Sequence, residues 1–102
     1  MADMSFYRSG GKFVIGMVHC LPLPGTAFFK DNMEKIMAQA IADAETLERA
    51  GVDAIIVENM GDGPFGIRMD TAQVAALAAV SARVAERVTI PVGIDAAMSD
   101  YE

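Results

Sequence analysis

Apolar residues recur along this chain in two alternating rhythms. Phe13 to Val18 is a short apolar run that closes on His19. Met33, Ile36, Met37, Ala40, Ile41, Ala44 and Leu47 then repeat at helical spacing. Asp53 to Val57 is again continuous and apolar, and it ends in Glu58 and Asn59. Such a run reads as a strand buried on both faces. Val74, Leu77, Ser81, Val84 and Val88 mark a second helical face, and Val92 to Ile94 a third strand after Pro91, ending in Asp95. The order is strand, helix, strand, helix, strand. This alternation predicts an α/β fold, a parallel β-α-β-α-β unit.

Local punctuation agrees with that order. Asp31 and Glu34 resemble a capping box before the first helix, with Asn32 as the competing cap. Gly51 stands where a left-handed cap ends a helix. Asp70 with Gln73 offers the second cap. Leu21-Pro22-Leu23-Pro24-Gly25 cannot continue a helix or a central strand, so it reads as a stiff loop. Residues 1–11 read as a lead-in, ending in Ser9-Gly10-Gly11. The methionines of the first helix read as core.

Composition narrows the classes. The 102 residues allow one domain, with 53% hydrophobic and 22% charged residues. A net charge of −6, with eight basic residues in no long run, argues against a nucleic-acid partner. One cysteine cannot form an internal disulfide, which fits a reducing, cytoplasmic setting. No apolar run has the ~18–20 residues of a transmembrane span. Peripheral membrane association stays open.

All three strands end in polar residues. Parallel strands share one carboxyl edge, where α/β folds build their sites. His19, Glu58, Asn59, Asp62 and Asp95 are therefore the candidate ligand-binding residues. His19 and Glu58 are the catalytic candidates, since an imidazole beside carboxylates suits acid–base chemistry or a divalent ion. No metal is assigned to the set, and no cofactor is named by it. The structural alternative for each residue is a polar strand end bonded to loop amides. Cys20 follows His19 but points to the other face of the strand, so it reads as a buried, inert thiol. Gly61-Asp62-Gly63-Pro64-Phe65-Gly66 lacks the spacing of a phosphate-binding loop or dinucleotide fingerprint. Its glycines supply turns, and Pro64-Phe65 reads as loop packing.

Gly16-Met17-Val18-His19-Cys20-Leu21-Pro22-Leu23-Pro24-Gly25 resembles the opening signature of the BtpA/SgcQ family. Gly51-Val52-Asp53 through Val57-Glu58-Asn59, with Asp62-Gly63-Pro64-Phe65, is similar to its second block. Ile90-Pro91-Val92-Gly93 resembles its third. The resemblance runs from about Lys12 to Gly93. It implies the first three strands of a TIM (β/α)8-like barrel, a single partial domain over 1–102 with its family-like core at 12–95. It also implies a role in photosystem I or membrane-complex biogenesis, after the cyanobacterial protein that names the family. The alternatives are a cytosolic barrel enzyme or small-ligand-binding protein, and an inactive truncated product. The family pattern has an amide where this chain has Asp95, and Asp100 corresponds to a later acid. Three strands also leave sheet edges open, so self-association through those edges is expected alongside a small polar ligand.

Overall fold

The computed structural model describes residues 3–63 and 69–97. The Pro64-Phe65 packing and the Asp100 correspondence lie outside the described residues. The element order is α1 (Ser5–Arg8), β1 (Ile15–His19), α2 (Met33–Ala50), β2 (Ala54–Glu58), a 3-10 turn (Met60–Asp62), α3 (Thr71–Arg87) and β3 (Val92–Asp95). The strands form one parallel sheet in the order β1-β2-β3. The predicted β-α-β-α-β unit is therefore present, with the middle strand paired on both sides.

Strand bounds shift by one or two residues from the apolar runs. Val14 lies just before β1 and is held at that end by Asp53. Its N–H donates to Asp53 Oδ2 at 2.9 Å, and its carbonyl accepts from Asp53 N at 2.8 Å. At the other end the ladder runs on to pair His19 with Glu58 and Glu58 with Asp95.

The two helices lie on one face of the sheet. Val18, Ile55 and Val57 point into them and meet Ile36, Ala40, Ala44, Leu77, Val80 and Val84. Burying each branched side chain is worth about 1.5–3 kcal/mol, which makes this layer the core. The other face is open: Ile15 and Met17 are exposed and Ile56 is half-buried. The reading of the middle strand as buried on both faces is borne out in part: Ala54, Ile55 and Val57 are buried, while Ile56 and Glu58 are half-buried. α2 and α3 cover one side; on the other, Met4 and Phe6 lie with Ile15, Ala54 and Ile56 around a cavity at the amino end of the strands, and the carboxyl end stays open.

Two local readings are also corrected, and the lead-in holds a short helix. Asn32, not Asp31, caps α2, its side chain accepting from Lys35 N at 2.9 Å. Asp31 instead takes φ 53°, a turn conformation that an Asx side chain tolerates. The lead-in contains α1, started by Asp3, which accepts from Ser5 N and Ser5 Oγ. Phe6 of α1 packs edge-on against Phe13 with centroids 5.2 Å apart. Val74 is exposed, and Met33 and Met37 are only half-buried. They sit at the margin of the helix layer, where the long thioethers reach the core yet stay partly wet.

Candidate functional site

Strand alternation sorts the polar residues into two groups. Residues paired across a parallel ladder share a face. His19, Glu58 and Asp95 pair with one another in register, so all three stand on the open face at the carboxyl end. Below them on that face lie Met17, Ile56 and Gly93. Cys20 and Asn59 stand one residue further on and turn toward the helices.

His19 Nε2 lies 3.5 Å from Glu58 Oε1. The imidazole is half-exposed, while the Glu58 side chain is 14% exposed. Glu58 is hydrogen-bonded to the Asp95 carboxyl, and that bond holds its pKa above the ordinary glutamate range. Partial burial and the Asp95 charge push the same way, and His19 pulls back weakly. A glutamate whose pKa is raised beside an imidazole suits acid–base exchange. Among the described residues no group of three or more His, Cys, Asp or Glu side chains could hold a metal ion.

Asn59 and Asp62 do different work. They are 0% and 1% exposed. Asp62 accepts from Leu23 N at 2.9 Å, Asn59 Nδ2 at 3.0 Å and Gln73 Nε2 at 3.1 Å. Asn59 Oδ1 accepts from Ala97 N at 2.6 Å, and Nδ2 also donates to Ala97 O at 3.4 Å. These bonds tie the segments after β1, β2 and β3 to the first turn of α3. Gln73 serves twice, because its Oε1 closes the α3 capping box on Asp70 N. From the sequence Gln73 reads only as part of a cap. Its second role follows from Asp62 being buried above α3, which a caps-and-periodicity reading does not reveal.

Backbone contacts tighten the same rim. Gly61 N donates to Cys20 O at 3.2 Å. A Cβ on Gly61 would lie 2.6 Å from that carbonyl oxygen and 2.7 Å from Pro22 N, so only glycine fits. Burial, helped by the charge of Asp62, pushes the Cys20 thiol up to about 11. Asp62 thus anchors both loops that border the carboxyl edge.

A model of the BtpA family matches residues 11–101. An uncharacterized protein of Methanocaldococcus jannaschii is 42% identical over 89 residues, covering 87% of this chain and 34% of that protein. An uncharacterized protein of Thermococcus kodakarensis is 42% identical over 97 residues, or 95% of this chain and 36% of that protein. The photosystem I biogenesis protein BtpA of Synechocystis is 42% identical over 88 residues, or 85% and 31%. The chain spans about a third of the length of the curated relatives it matches. No solved structure matches it.

Proposed function

The chain belongs to the BtpA family, and from that premise we propose that it contributes a small-molecule site at the carboxyl ends of its strands. The observation that carries this reading is the register of His19, Glu58 and Asp95 on one open face. The Glu58–Asp95 pair holds or releases a proton, and His19 relays it to a bound polar group. Asn59 and Asp62 position the loops around that ligand from the buried side. The β-α-β-α-β unit is the first part of a (β/α)8-like barrel, whose rim collects such residues. The setting is cytoplasmic, with any membrane contact peripheral; no helix among the described residues is long and apolar enough to cross a membrane.

A binding experiment tests the site directly. The isotope-labelled chain is titrated with neutral polyols, amines and carboxylates while side-chain resonances are followed. Saturable shifts at His19, Glu58 and Asp95 that vanish in Glu58→Gln are expected for at least one class. Shifts confined to other residues, or none, overturn the reading.

A second reading rests on the Synechocystis relative. Its name assigns it to photosystem I biogenesis, and its 42% identity over 88 residues supports proposing the same role for this chain. Complementation of a strain lacking that relative tests it: restored photosystem I content supports the role, and unchanged content removes it.

A further inference from the structure

The outer surface of the helix layer carries a groove that takes no part in the rim. It has a volume of about 540 Å³ and runs between α2 and α3. Met33, Met37 and Ile41 form its floor, and Ala38 and Ala42 lie beside them. These positions repeat every four residues along α2, so they make two parallel rows. Solvent-facing helix surfaces are ordinarily polar, and a row of thioethers beside small side chains is not.

The two walls differ in size and in charge. On the α2 wall stand Glu34 and Glu45 with the methionines; on the α3 wall stand Arg83 and Arg87. Ala75 and Ala79 continue the arginine row at the same four-residue spacing, and both are exposed. One wall is thus bulky and acidic, the other small and basic. Glu45 and Arg87 already meet at 3.4 Å, which shows that the two charge types are compatible across this groove.

We propose that this face binds a second copy of the chain, with the two-fold axis along the groove. That axis sets α2 of one copy against α3 of the other and keeps the level of each residue along the helices. Glu45 then faces Arg83 and Arg87 of the second copy, and Met33 and Met37 cover its alanines. An axis across the groove would set acid against acid and bulk against bulk. A two-fold contact must be self-complementary, and charge and size both select the first axis. Helices of about 26 Å laid two abreast offer roughly 500 Å² per copy. The total of about 1,000 Å² lies at the low end for specific interfaces, so the dimer is weak. This face is separate from the open side of the sheet and from both of its edges.

Charge reversal tests the arrangement. One variant carries Glu34→Arg and Glu45→Arg, the other Arg83→Glu and Arg87→Glu. Sedimentation equilibrium of the unaltered chain is expected to give a dimer with a dissociation constant on the order of 10 μM. Each reversed chain alone is expected to dimerise at least ~10-fold more weakly, because its two walls then repel. An equimolar mixture of the two is expected to recover to within about threefold, as acid again meets base. A monomeric unaltered chain at ~1 mM overturns the proposal. So does association that ignores the reversals, which would place the contact on another face, or a mixture of folded variants that stays monomeric. Circular dichroism reports the fold. Should either reversed chain unfold, Ala75→Gln with Ala79→Gln takes its place, and undiminished dimerisation of that variant overturns the proposal.

Discussion

Asn59 and Ala97 meet as two backbone amides would. The Asn59 side chain accepts from Ala97 N at 2.6 Å and donates to Ala97 O at 3.4 Å. The amide group thereby continues the β2–β3 ladder beyond Asp95, and the same Nδ2 reaches Asp62. A carboxylate at position 59 could accept from Ala97 but could donate to neither oxygen. Asn59→Asp is therefore expected to cost about 2–3 kcal/mol, the penalty of a lost buried bond plus a new charge beside Asp62. Urea unfolding of the two chains checks it; a difference under ~0.5 kcal/mol refutes the pairing role.

Asp62 takes three donors in a buried place. Asp62→Ala leaves the Leu23 N–H without its partner and frees two loops at once. A loss of about 2–3 kcal/mol is expected, with raised amide exchange at Leu23 and Gln73. Exchange that rises only after β2 would contradict the idea of a shared anchor.

Two glycines provide an internal contrast. Alanine at 61 would drive its methyl into the Cys20 carbonyl, whereas the nearest atom to a Cβ at 93 is Ile56 Cγ1 at 3.7 Å. Gly61→Ala is expected to destabilise by about 2–3 kcal/mol and Gly93→Ala by well under ~1 kcal/mol. Thermal melts rank the pair, and the reverse ranking would mean that the loop moves aside freely.

Cys20 gives a kinetic check on burial. Its pKa stands at about 11 against an ordinary 9.0, so at pH 8 its thiolate population is about 100-fold lower than that of an open thiol. Alkylation of the native chain is expected to be slower than in denaturant by at least that factor. Equal rates would show that the segment around Cys20 opens readily.

The Glu58 pKa is raised in the folded chain, so its sign is set. The folded state binds the proton more tightly than the unfolded state does. The associated stability is fully present below the unfolded value of about 4.5 and is lost as pH rises through the raised folded value. Glu58→Gln keeps the hydrogen bond to Asp95 without the charge and is expected to flatten that dependence. His19→Ala removes the imidazole that pulls the Glu58 value down and is expected to raise that value further. Carboxyl NMR titrations of the three chains read both effects.

The sequence revealed some of these relations and hid others for identifiable reasons. The alternation from Phe13 to Ile94 is strong enough to order all three strands, because helical and extended apolar spacings differ plainly. Bringing His19, Glu58 and Asp95 to one edge followed from parallel pairing alone. The separation of Glu58 from Asn59 was obscured by the run Ala54 to Val57, which is apolar on both faces and conceals which alternate residue faces the helices. Asp31 and Asn32 are adjacent caps of similar strength, so only the backbone turn decides between them. α1 spans four residues, too short for any period to register.

The long-range polar ties have nearly one reach in sequence. Val14 to Asp53 and Leu23 to Asp62 each span 39 residues, Asn59 to Ala97 spans 38, and Glu48 to Thr89 spans 41. β1 and β3 do not pair, so no ladder requires closing the whole length. Loop-closure entropy rises only with the logarithm of loop size, and each closure here therefore meets much the same barrier. The first crossover can form as soon as its strand emerges in synthesis, and it then serves as the template on which the second docks. Folding by such equal increments keeps each half-made intermediate small.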